Sequence, residues 1–257
     1  AAAVPYFKYC ISKIYSQKFK PILALDLLSK LMNSMIVTIM KGEIHASLKA
    51  LDGYIAFHRL LIAMVTEFPE LKLHIDHLVA KFMQHENNRK KAAVPSMGEF
   101  LTYLTVSKYT WEDVGALVLQ EILCRNVLWV HDSCRAPLPK PTQKLVQQRL
   151  DKFFEGCRVS LHLIMFHVYF LKHFAPKQNE TLEQIAAKYE KTYSVATPEM
   201  KEKFQKEVFD ILHVSSLLVF FRKCYFKLNC AEDQTNLLIN DIITNAVERS
   251  KMNGYHK

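Results

Sequence analysis

Apolar residues along this chain recur at three- and four-residue steps, the spacing that gathers them on one face of an α-helix. Pro21 opens the first such run, in which Ile22, Leu25, Leu28, Met32, Met35, Ile36 and Ile39 follow at helical intervals until Gly42. A second run extends from about Glu43 through Tyr54, Phe57, Leu61 and Val65 to Phe68, where Pro69 stops it and starts a third. Three helices in the first 85 residues imply antiparallel packing.

A polar hinge, Asn87-Asn88-Arg89-Lys90-Lys91, comes next. Ser96-Met97-Gly98-Glu99 then has capping-box spacing, in which a hydroxyl and a carboxylate satisfy orphan amides at a helix start. Thr110 reads as the cap of a further helix, with Glu112 and Asp113 in its positive first turn. That helix is expected to reach about Val130 and to bury Val114, Leu117, Val118, Ile122, Val127 and Leu128 on a broad face.

Arg135-Ala136-Pro137-Leu138-Pro139-Lys140-Pro141 interrupts the helical pattern, because prolines at alternate positions cannot sit in a helix interior. Two organisations satisfy this break. Either it divides a helical subdomain 1–134 from another at 142–257, or residues 135–141 form a loop within one continuous domain. Beyond it, residues 142–174 read as one long helix, bent near Gly156, that buries Phe153, Phe154, Leu161, Ile164, Met165, Val168 and Leu171. Cap and proline signals at Thr181 with Gln184, and at Thr197-Pro198-Glu199, place further helices at about 181–192, 198–213, 215–226 and 232–250. The expected fold is all-α, an irregular helical bundle or short α-solenoid of about eight to ten helices, and no repeat period marks it as an ordered array.

Composition narrows the function classes. Only 6 glycines occur in 257 residues, against a usual share of roughly 7%, which disfavours folds built on Gly-rich phosphate loops. Hydrophobic residues at 50% and charged residues at 23% are ordinary for a folded chain. The most apolar stretch is read as Leu161–Leu171, too short for the roughly 20 residues of a membrane span, so no transmembrane segment is expected. Six cysteines without a CxxC pair point to reduced thiols and a cytoplasmic or nuclear protein. The sequon Asn179-Glu180-Thr181 would matter only after secretion, and the start Ala1-Ala2-Ala3-Val4-Pro5 has no signal-peptide pattern. A chain that begins without Met is expected to be part of a longer one.

The net charge of +9 favours acidic partners, nucleic acid or an anionic membrane, yet the basic residues are dispersed as on a solvated surface, which is the leading reading: Lys8, Lys13, Lys18 and Lys20, then Arg89 to Lys91, then Lys140 to Arg158, then Arg222 to Lys227. Tyr6, Phe7, Lys8, Tyr9 and Lys13 come nearest to an aromatic-basic stacking platform for single-stranded nucleic acid, and the same cluster suits a segment that docks on a partner.

Catalytic and metal chemistry finds no local signature. GxSxG, HExxH and GxxxxGK[ST] are absent. His74, His77 and His85 could share a helix face but lack the further ligands zinc requires. His162 and His167 lie about 140° apart around their helix and read as hydrogen-bonded core imidazoles. Cys124, His131 and Cys134 match no compact zinc spacing. No catalytic, cofactor-binding or metal-ligating residue is therefore assigned, no cofactor is expected, and no binding residue is fixed.

The run from Leu48 to Leu61, with Gly98-Glu99-Phe100-Leu101, Arg125-Asn126-Val127-Leu128-Trp129 and Met165 to Leu171, resembles the helical region of large eukaryotic multidomain proteins that also carry ubiquitin-conjugating-enzyme-like domains. That resemblance implies a helical accessory region in a ubiquitin-type conjugation pathway and carries over no catalytic residue. The expected function is a non-catalytic interaction or scaffold module whose partners are another protein or other domains of a parent chain. The alternative is a basic helical module that binds nucleic acid.

Overall fold

The structure, a computed structural model, describes residues 3–41, 44–130, 142–174, 181, 183–184, 187, 198–224 and 232–255. Among these residues there are ten α-helices and no strands: α1 Val4–Ile14, α2 Pro21–Met40, α3 Ile44–Glu67, α4 Pro69–Gln84, α5 Met97–Tyr103, α6 Trp111–Asn126, α7 Gln143–Phe174, α8 Pro198–Leu212, α9 Leu217–Lys223 and α10 Glu232–Met252. The all-α expectation holds. The chain forms two compact units, residues 1–114 with 169–209 and residues 115–168 with 210–257, so their boundaries fall inside α6, α7 and α8. The proline-rich segment 135–141 and most of 181–192 lie outside the described residues.

In the first unit α2 lies along α3 and also meets α1, α4 and α5. Pro21 occupies the first turn of α2, where its missing N–H costs no helical bond. Leu25, Leu28, Met32, Ile36 and Ile39 then fall on one stripe and are buried. Ile22, expected on that stripe, is instead exposed. α2 is also the one helix among the described residues that is long and apolar enough to cross a membrane, with a mean hydropathy of 1.6; Leu161–Leu171 is not the most apolar stretch. Its stripe packs against neighbouring helices, 39% of the apolar window is buried, and no clear transmembrane segment results.

Leu71, Ile75, Val79 and Phe82 bury the inner face of α4, and Phe82 stacks on Phe100 of α5 at 4.5 Å between centroids. Ser96 caps α5 by accepting from the Glu99 amide at 3.2 Å. A Cβ at Gly98 would overlap the Asn33 side-chain oxygen, so a larger residue there obliges the Asn33 amide to move. Arg89, expected on a solvated hinge, is buried instead: its guanidinium donates to the Phe82 carbonyl at 3.3 Å and satisfies an orphan acceptor at the end of α4.

The segment after α5 is held by Asp76 of α4. One carboxylate oxygen accepts from the Ser107 hydroxyl at 2.8 Å and the Lys108 amide at 2.9 Å, while the other accepts from Lys72 at 3.0 Å. The Asp76 side chain is only 12% exposed, so Asp76→Ala leaves three donors, at Ser107, Lys108 and Lys72, without their acceptor. We expect a loss of about 2 kcal/mol in urea unfolding, and a change under about 0.5 kcal/mol would show that water replaces the carboxylate there.

In the second unit the stripe of α7 is buried as expected, Phe153, Phe154, Leu161, Ile164, Met165 and Val168 included. α7 runs through Gly156 without interruption, and the glycine admits the Val130 side chain against the helix backbone. The Cys157 thiol donates to the Asn126 carbonyl at 3.5 Å. Glu121, buried in α6, accepts from Arg125 at 2.7 Å and from the Tyr255 hydroxyl at 2.6 Å, which fastens the segment following α10.

Candidate functional site

The histidines separate by environment. His74, His77 and His85 are exposed on or just after α4. His58, His162 and His167 are buried. His162 meets the expectation for a core imidazole, its Nε2–H donating to the Val214 carbonyl at 3.0 Å. His167 departs from it, since neither ring nitrogen has a hydrogen-bond partner. Desolvation lowers the pKa of His58 and of His167 to about 3 and also lowers that of His162. These rings are therefore neutral packing groups near neutral pH.

Among the described residues no three His, Cys, Asp or Glu side chains come together to hold a metal ion. Cys124 is buried, whereas His131 and Cys134 lie outside the described residues. The Cys224 thiol is pushed up by burial, which keeps it protonated and a poor nucleophile.

Two of the exposed surfaces among the described residues carry neighbouring aromatic and apolar side chains. The first is the outer face of α1. Val4 and Ile11 of that helix are buried, which turns Tyr6, Tyr9, Lys13 and Ile14 outward; Tyr6 is 77%, Tyr9 63% and Ile14 61% exposed. The structure thus divides the aromatic-basic cluster read from the sequence. Phe7 is half-buried, and Lys8 pairs with Glu67 while its ammonium lies 4.7 Å from the Phe68 ring centroid. Only Tyr6, Tyr9 and Lys13 are left outside, with the Lys13 ammonium 5.4 Å from the Tyr9 ring centroid.

The second surface follows α6, whose last turn passes into a 3₁₀ turn at Val127–Val130. A 3₁₀ turn advances about 120° per residue rather than about 100°, so the buried stripe that ends at Val127 cannot continue. Leu128, expected inside, is exposed, and Trp129 is 74% exposed. The sequence carried no cap or glycine at this point to announce the change of pitch.

No protein-family model matches the chain, and no curated protein or solved structure matches it significantly.

Proposed function

We propose that this chain is a recognition module: a helical, non-catalytic interaction or scaffold region of a larger protein or complex, anchored on its partner by Trp129. The carrying observation is the outward Leu128–Trp129 pair at the end of α6. A large indole left in water forgoes its burial free energy until something covers it, and tryptophan is enriched among residues that dominate binding. The buried, neutral histidines and the inert Cys224 thiol suit a packing role better than a catalytic one. Buried thiols at Cys124 and Cys157, outside any disulfide, accord with a reducing, intracellular setting. On the resemblance of residues 48–61 and 165–171, the larger protein would be one with a ubiquitin-conjugating-enzyme-like domain.

The experiment compares capture by the parent chain and by its Trp129→Ala variant. A partner recovered by the parent should be retained at least about 30-fold less tightly by the variant. Acrylamide should quench Trp129 and spare Trp111, which is buried, and the partner should protect Trp129. Equal retention by both chains would overturn the reading, as would turnover of a small molecule by the purified protein. The alternative, a nucleic-acid module, draws on the +9 charge and on Tyr6, Tyr9 and Lys13, but Phe7 and Lys8 are turned away from that platform.

A further inference from the structure

Residues 1–25 contain four lysines and no Asp or Glu, Asp26 being the first acid. Lys8 is neutralised by Glu67. Lys13, Lys18 and Lys20 are exposed, and among the described residues none has a carboxylate within ion-pair range. Lys13 sits on the outward face of α1 that carries Tyr6, Tyr9 and Ile14, and Lys18 and Lys20 follow it in the connection between α1 and α2. Ile22, the first exposed apolar residue of α2, follows directly.

We propose that this face docks on an anionic lipid surface. Three features favour that occupant over a protein or a nucleic acid. The surface is the convex outside of a helix, which suits a broad, deformable layer of headgroups. Its cations are all lysines, point charges that a diffuse negative layer satisfies without the fixed fork geometry an arginine brings to a defined carboxylate or phosphate. Its uncharged members are amphipathic tyrosines and isoleucines: tyrosine places its ring at the headgroup level with the hydroxyl in water, while Ile14 and Ile22 have an apolar layer to enter but no role in stacking on bases. Lys13 over Tyr9 can extend its ammonium outward while its stem covers the ring.

The test is co-sedimentation of the 257-residue protein with vesicles of phosphatidylcholine alone and of phosphatidylcholine with phosphatidylserine at 7:3. Binding is expected to the mixed vesicles only and to weaken with added salt. Lys13→Gln/Lys18→Gln/Lys20→Gln should lower partitioning roughly 100-fold, at about 5-fold per lysine. Tyr6→Ala/Tyr9→Ala should weaken binding while leaving its salt dependence unchanged. All five side chains are exposed, so far-UV circular dichroism should remain that of the parent. No partitioning to either vesicle overturns the proposal, as does partitioning that survives the triple lysine change. Loss of binding to an oligothymidine in the lysine variant, with no vesicle binding by the parent, would assign the face to single-stranded nucleic acid. Trp129→Ala should not alter vesicle binding, so this result stands or falls apart from the function proposed above.

Discussion

Lowering the pH from 7 to 5 should remove about 4 kcal/mol of folding stability, through two side chains. His58 and His167 are fully buried, and desolvation holds both folded-state pKa values near 3, with the Thr105 backbone hydrogen bond opposing the shift at His58. The unfolded chain takes up a proton at each ring as the pH falls through about 6.5, whereas the folded chain does so only near 3. Between those limits the unfolded state binds more protons, so stability is complete above about 6.5 and declines as the pH falls. The slope is about 1.4 kcal/mol per pH unit for each ring, or about 2 kcal/mol each by pH 5. Urea midpoints measured across this range give the slope directly. His167→Leu separates the two contributions: it should halve the acid sensitivity and leave stability at pH 7 equal or higher, because it removes two buried nitrogens that have no partner. An acid limb unchanged by that substitution would show that His167 is hydrated.

Phe170→Ala should cost about 3–5 kcal/mol, among the largest effects of any single side chain. Phe170 is fully buried, and three rings meet it edge-on: Tyr54 and His58, one turn apart on α3, each at 4.9 Å, and Phe204 of α8 at 6.2 Å. Truncation removes the transfer free energy of the ring and leaves a cavity among side chains that are themselves locked by packing. Phe170→Leu forfeits the ring pairs, each worth about 0.5–1.5 kcal/mol, but keeps most of the volume, so it should cost less than the alanine change by the cavity it avoids. The two predictions meet at His58. Water entering the Phe170→Ala cavity would solvate the imidazole and flatten the pH dependence of that variant. A loss below about 1.5 kcal/mol for the alanine variant would mean that the helices close over the gap.

Local signals were the legible part of the fold. Pro21 and Pro69 mark the starts of α2 and α4 because a fixed φ and a missing N–H act within one turn, wherever that turn sits in space. Ser96 caps α5 for the same reason. Helix α1 escaped sequence reasoning although Pro5 stands in its first turn: Ala3 makes no side-chain cap, and the chain leaves the helix through Ser16 at a φ of 50°, where a glycine would ordinarily announce the turn. The Gln17 amide donates to the Ser12 carbonyl and the Ser16 amide to the Lys13 carbonyl, so the stop is a regular one made by an irregular residue.

The amino-acid order alone determined that this protein is helical, where most of its helices start and which stripe of α7 lies inside, since apolar spacing and capping are properties of neighbouring residues. Tertiary structure decided the rest: that Lys8 faces Glu67 while Lys13 faces solvent, that Arg89 closes α4 from within, that His167 is buried without a partner and that Trp129 turns outward. Each of these depends on what a distant segment brings to the same place, or on a change of helical pitch that no single residue encodes. The surfaces proposed to bind partners are of this second kind, because a side chain becomes available for recognition only once packing has claimed the others.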